Sequence, residues 1–362
     1  MKNNITIIQR LIPSCVCRTL SVLSFLALSF NAVASVSIAG NKHKLSQSMI
    51  KDSIVAKHGA LSINEGKLVN EKLRSVSFAG PSLFWSNNGW GGQPFYNKQV
   101  IDNITSQWNA SIVRAAMGVD NNGSYLKQPQ DNLNAVETVI EAAVANGIYV
   151  IVDWHSHHAE DNVEQAVAFF SYIANKYGHL DNIIYEIYNE PLPDTDWERV
   201  IKPYSLEVIS AIRKIDKDNV IIVGTQSWSQ DVDIVINNPI KNYKNLAYAL
   251  HFYAGTHKES LRKKAQLALD AGLALFVSEW GTVDANGNGD IDYDETEKWI
   301  KFMKKNKLSH CGWSISQKNE SSSMIKANVS PTSKWTEKDL TENGLFLKKI
   351  ISSWPQTTTA NP

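Results

Sequence analysis

The amino-acid sequence predicts an α/β fold: a (β/α)8 (TIM) barrel forming a single catalytic domain. Three observations point there. Eight short apolar runs recur along the chain, each followed by a helical period or a connection of helical length. Those runs are apolar almost throughout instead of alternating, as befits strands covered by helices on both faces of a parallel sheet. Eight such units in about 290 residues match the size of a closed barrel. An open doubly wound sheet is the alternative. It would normally carry a glycine-rich phosphate turn after its first strand, and Gly80-Pro81-Ser82 is not one.

In chain order, a hairpin-like stretch from Ala60 to Val69 precedes the main pattern. The apolar runs then begin at Val76 (VSFAGPSLFW), Ser111 (SIVRAAM), Ile148 (IYVIVDWH) and Ile183 (IIYEIYNEP). They continue at Val220 (VIIVGT), Leu246 (LAYALHFY), Ala274 (ALFVSEWG) and Cys311 (CGWSIS). Helical periods separate them at Leu133 to Asn146, Asn162 to Tyr177, Trp197 to Ile215, Lys258 to Ala271 and Tyr293 to Lys305. This places the barrel at residues 59–354, with a polar, unassigned segment at 35–58 and a tail at 355–362.

Residues 1–34 read as a signal peptide: Lys2, Arg10 and Arg18 precede an apolar run from Leu20 to Phe30, and Ala32-Val33-Ala34 offers a small-x-small cleavage site. The apolar run is too short to span a membrane as a helix. Secretion, extracellular or periplasmic, is therefore expected after cleavage near Ala34. The mature chain would keep one cysteine, Cys311, so no internal disulfide; Cys311 sits in an apolar run and reads as a core thiol.

The 362 residues are 43% hydrophobic and 20% charged, with 36 basic residues balancing 36 acidic ones. That balance argues against nucleic acid or an anionic membrane as partner and favours a neutral substrate. Eleven tryptophans, several of them at predicted strand ends, suit stacking on sugar rings as well as core packing.

In such a barrel, functional side chains gather at the C-terminal ends of strands. Those ends here carry Arg114, Asp153-Trp154-His155, Asn189-Glu190, His251-Phe252-Tyr253, Glu279-Trp280 and Trp313. Each has a bland explanation alone, but their coincidence at one end does not. Glu190 and Glu279, on different strands of one mouth, offer the two carboxyls that glycoside hydrolysis needs. Counting back by twos from Glu190 places Tyr188, Glu186 and Ile184 on its face, so Glu186 is expected one layer deeper, with Arg114 as a partner.

Together IIYEIYNEP, FVSEWG, VIVDWH and LHFY resemble glycoside hydrolase family 5, the cellulase family of retaining (β/α)8 hydrolases. SLFWSNNGWGG and SIVRAAMGV are similar to its secreted bacterial endo-β-1,4-glucanases, and the resemblance runs through residues 59–354 in order. It implies that Glu190 is the acid/base and Glu279 the nucleophile. It implies an active-site shell of Arg114, His155, Asn189, His251, Tyr253 and Trp313, with Trp228, Lys318 and Glu320 touching sugar. Where many relatives carry a histidine after the first strand, this chain has Phe84-Trp85-Ser86, and Trp85 is expected to serve as a platform instead. Glu279 is expected ionised with a lowered pKa, Glu190 protonated, and their carboxyls about 5–5.5 Å apart.

The implied substrate is a β-1,4-glucan, cellulose or soluble, cut internally by a monomeric enzyme that requires no cofactor. Hydrolysis of β-mannan, xyloglucan or mixed-linkage glucan is the alternative, since those activities share the catalytic shell and differ in subsites. A non-catalytic glycan-binding protein would have been marked by loss of Glu190 or Glu279. The three histidines His155, His157 and His158 prompt a metal-dependent deacetylase reading, but only Asp153 accompanies them. Too little chain lies outside the barrel for a separate carbohydrate-binding module, so crystalline cellulose is expected to be a poor substrate. Finally, Asp284, Asn286, Asn288, Gly289, Asp290 and Glu295 fit a twelve-position calcium loop. A structural Ca2+ there competes with a plain acidic turn, because a strand precedes the motif where a helix would be needed.

Overall fold

The computed structural model describes residues 51–355; the expected signal peptide, most of the segment 35–58 and most of the tail lie outside these residues. A short helix, α1 (Ile54–His58), capped by Ser53, occupies the end of the segment that the sequence left unassigned. The hairpin follows as β1 (Ser62–Asn64) and β2 (Lys67–Val69), paired antiparallel.

Eight parallel strands then close into a barrel. They are β3 (Ala79–Leu83), β4 (Ile112–Gly118), β5 (Tyr149–His155), β6 (Ile183–Glu186), β7 (Ile221–Val223), β8 (Leu246–Tyr253), β9 (Leu275–Gly281) and β10 (His310–Ile315). Around them lie α2 (Lys98–Trp108), α3 (Pro129–Asn146), α4 (Val163–Tyr177), α5 (Lys202–Ile215), a kinked turn α6 (Gln226–Ser229), α7 (Glu259–Asp270), α8 (Tyr293–Asn306) and α9 (Glu342–Ser352). The first and last of the full-length helices, α2 and α9, were not singled out in the sequence. Both are amphipathic, burying Val100, Ile101, Ile104 and Trp108 in α2 and Leu347, Ile350 and Ile351 in α9.

Every strand residue of β4, β5, β8, β9 and β10 is buried, as the continuous apolar runs required. Inside the barrel the side chains alternate by twos. A lower layer of Phe78, Ile112, Tyr149, Ile151, Ile184, Ile222, Ala249 and Phe276 forms one apolar cluster, joined by Cys311. Burial pushes the Cys311 thiol well above its usual range, so it is a core thiol. Val55 of α1, with Leu61 and Leu68 of the hairpin segment, closes this cluster from the bottom. One step up each strand, the next inward residues are polar: Arg114, Asp153, Glu186 and His251, all fully buried or nearly so.

Candidate active site

The polar layer is organised by Arg114, whose guanidinium is wholly buried. Its Nε donates to Glu186 Oε2 at 2.7 Å, and Nη1 donates to Glu279 Oε2 at 2.9 Å. Its Nη2 donates to Asn189 Oδ1 at 2.7 Å and pairs with Asp153 Oδ2 at 2.9 Å. Glu186 is thus the buried partner expected for Arg114. Its carboxyl is held down at about 2: burial opposes ionisation, but the Arg114 charge and the hydrogen bond to His251 outweigh it.

Face-sharing beyond Glu186 does not follow the count by twos. The regular strand ends at Glu186, and Tyr188 turns away from the axis to pack edge-on against Tyr204 of α5. Asn189, expected on the opposite face from Glu190, instead points inward to Arg114. The neighbouring strand departs from simple alternation too. Between β8 and β9, Ala249 pairs with Phe276 and His251 with Glu279, so β9 carries one extra residue. This bulge lets two consecutive residues face the interior. Ser278 donates to Glu186 Oε1 at 2.6 Å, and Glu279 next to it reaches Arg114.

Glu279 Oε1 also accepts from the Tyr253 hydroxyl at 2.8 Å. Burial, then the proximity of Glu190, push its carboxyl above the ordinary value, against the pull of Arg114, His251 and Tyr253. The lowered value expected from its donors is therefore reversed, because desolvation and a second carboxyl outweigh them. An oxygen of Glu190, one of Glu279 and a ring nitrogen of His251 lie within 4.8 Å of one another. Glu190 Oε1 sits 2.9 Å from His251 Nδ1, and His251 Nε2 sits 2.9 Å from Ser278 Oγ. Burial disfavours charge on His251, yet its bonds to Glu186 and Glu190 lift it to about 9. It is an imidazolium at neutral pH, donating through both nitrogens.

His155 differs. Its Nδ1 is 2.6 Å from Asp153 Oδ2, but burial and the adjacent Arg114 charge hold it well below its usual value, as a neutral ring. It stacks on Trp313 at 5.4 Å and meets the edge of Trp85 at 4.1 Å. Trp313 precedes a cis peptide bond to Ser314.

Above these groups opens a cleft of about 700 Å³, lined by Trp85, His155, Glu190, Trp228, His251, Tyr253, Glu279, Trp313, Lys318 and Glu320 among others. Arg114 and Asn189 lie just beneath. The structure therefore brings every residue predicted for the catalytic pair and its sugar-binding shell to one mouth. Trp228 reaches it from α6, where Ser227 and Trp228 adopt left-handed backbone angles and leave the indole 42% exposed. Lys318 pairs with Glu320 at 2.8 Å and lies over the Phe84 ring.

Among the cleft residues that the sequence reading did not assign to sugar binding are Trp90, His157 and His257, His157 having been considered only as part of a metal-binding histidine group. Trp90 stands 5.5 Å from Trp85 and is 38% exposed; its glycine-flanked position in NNGWGG was the signal available. His157 and His257 had no periodic signal, since both lie in loops beyond strand ends.

Asp284, Asp290 and Glu295 do not converge among the described residues. Glu295, the intended twelfth-position ligand, is committed to Arg262 and Lys298, while Asp292 caps α8. Asn286 faces the cleft beside Gly287. Glu295 and Asp292 thus hold local cations and a backbone amide at the start of α8.

Comparison with known proteins agrees with this geometry. The family model Cellulase (glycosyl hydrolase family 5) matches residues 69–319. Endoglucanase Z of Dickeya dadantii is 53% identical over 296 residues, covering 82% of this chain and 67% of the relative. An endoglucanase of Clostridium saccharobutylicum is 41% identical over 299 residues, covering 81% and 65%. The chain thus spans about two thirds of the length of these curated relatives. Among solved structures, the catalytic domain of Thermobifida fusca endoglucanase Cel5A superposes with a TM-score of 0.78 at 29% identity, covering 83% of this chain and all of that one. A variant of that domain was solved in complex with cellotetraose, with a TM-score of 0.78 at 28% identity, covering 83% and 100%.

Proposed function

The chain belongs to glycoside hydrolase family 5, the cellulase family, and from that membership we propose that it is an endo-β-1,4-glucanase acting through Glu279 and Glu190. The observation that carries the roles is the closeness of the two carboxyls. Oxygens within 4.8 Å suit direct attack, whereas an inverting pair stands about 6.5–9.5 Å apart to admit a water.

Glu279 is the nucleophile: Arg114 and Tyr253 donate to its two oxygens and orient them for attack. As one of these oxygens bonds to the anomeric carbon, the bond to the leaving sugar oxygen breaks, and Glu190 Oε2 delivers the proton. Glu190, now ionised, takes a proton from water as that water displaces Glu279 and releases a product of retained configuration. Asn189, fixed by Arg114, is placed to hydrogen-bond the 2-hydroxyl of the attacked sugar. Trp85, Trp228 and Trp313 offer faces for neighbouring rings. Each step is carried by a side chain, and the even balance of 36 basic and 36 acidic residues suits an uncharged polymer. Secretion after cleavage near Ala34, and action as a monomer, complete this reading. No helix among the described residues is long and apolar enough to cross a membrane.

The test is reducing-sugar release from carboxymethylcellulose, with glucomannan in parallel, for the wild type and Glu279→Gln. Activity on the cellulose derivative that falls by at least about 10³-fold in the variant is expected, as for loss of a covalent nucleophile. Preference for glucomannan would move the substrate to β-mannan. A folded wild type inactive on both would defeat the reading.

A further inference from the structure

We infer that His157 is a positioning residue for the acid/base carboxyl, aiming Glu190 Oε2 at the leaving oxygen; the inference rests on the roles proposed above. The two oxygens of Glu190 are unequal. Oε1 is engaged by His251 at 2.9 Å, whereas Oε2 lies 3.7 Å from His157 Nδ1. That nitrogen is buried and has no hydrogen-bond partner. Oε2 is also the oxygen left to carry the proton.

The histidine cannot drift far from this place. Its carbonyl accepts from the Tyr188 hydroxyl at 2.9 Å, and Tyr188 in turn bonds Glu160. Ser156, just before it, donates to Asp120 Oδ2 at 2.5 Å and accepts from the His158 amide at 2.9 Å. The same Ser156 offers its carbonyl to the Glu190 amide at 3.3 Å, so the two loops are joined at the backbone. On its open side the ring leans on Trp85, 5.8 Å away and tilted by 30°, with His155 beyond. A buried nitrogen is thus held beside a free carboxyl oxygen, less than an ångström beyond hydrogen-bond reach. Catalytic contacts that are long in the free enzyme commonly close when substrate binds. Contact of Nδ1 with Oε2 would then fix the rotation of the carboxyl, while His251 fixes its other edge.

Proton delivery matters in proportion to the basicity of the leaving group, which separates this role from a packing role. The full chain and its His157→Phe and His157→Gln variants are compared by kcat/KM, which reports glycosylation, on cellotetraose and on 2,4-dinitrophenyl β-cellobioside. Dinitrophenolate departs without a proton. In His157→Phe, which keeps a ring against Trp85, a loss of about tenfold or more is expected on cellotetraose, against less than about twofold on the activated substrate. His157→Gln, which retains an N–H, should recover part of the loss. Equal losses on both substrates, or none on either, would overturn the inference while leaving the glucanase reading intact. A wild type inactive on both would remove the two together.

Discussion

Arg114 engages five acceptors on four strands and a loop, Ser82 Oγ of β3 at 3.4 Å among them, and few residues could replace it. A lysine supplies one point of charge, whereas the planar fork reaches Glu186, Glu279, Asn189 and Asp153 at once. Asp153, Glu186 and Glu279 are all buried, so removing the cation strands three carboxyls in a dry layer. Arg114→Met is expected to cost about 3–5 kcal/mol, the scale found when one partner of a buried ion pair is removed. Urea unfolding measures this, and a midpoint within error of the wild type would refute the account. Asp153 alone shows the pressure: burial drives its carboxyl well up, with Arg114 opposing.

Among the elements, β9 decides the most. Its extra residue turns Glu279 inward, and its last residue, Gly281, leaves room for the neighbouring Tyr253 ring. A Cβ on Gly281 would lie 2.3 Å from Tyr253 Cδ1 and 2.5 Å from Cε1, far inside van der Waals contact. Gly281→Ala should therefore displace the ring and uncouple its hydroxyl from Glu279. The expected loss in kcat is at least about tenfold, matching Tyr253→Phe, as for removal of one oriented donor. If Gly281→Ala kept full activity while Tyr253→Phe did not, the close approach would not be what holds the ring. The strands themselves were legible, since continuous apolar runs have one sensible placement. The bulge was not, because it follows from pairing with β8 rather than from the residues of β9. The turn of Tyr188 was hidden for the same reason: its destination is a ring of α5.

At the scale of the whole molecule, two buried histidines bound the pH range of stability from opposite sides. His251 titrates at about 9 in the fold against 6.5 when exposed. Its contribution is full below 6.5 and is lost as pH rises through about 9. His310 is lowered to about 3, chiefly by burial, with Trp280 Nε1 donating to its Nδ1 at 3.0 Å. Its contribution is full above 6.5 and fades as pH falls toward 3. Unfolding free energy should therefore fall on both sides of neutrality. In urea titrations across pH 4–9.5, stability in His310→Asn should decline less toward acid than in the wild type. His251→Gln should flatten the alkaline side, and parallel curves for wild type and variants would contradict the assignment.

By itself the sequence determined the barrel, the order of its strands, the pair Glu190 and Glu279, and the polar shell around them. These are properties of one strand at a time: an apolar run marks a buried strand, and a charged residue at its end marks the mouth. Only the tertiary structure decided how those ends meet. Register turned Glu279 toward Arg114, the closing of the ring brought two carboxyls within 4.8 Å, and their shared desolvation reversed the expected direction of one titration. Folding paired Glu295 with Arg262 and Lys298, and a loop position brought His157 to Glu190. Such facts depend on distances between residues far apart in the chain, and periodicity along the chain carries no information about them.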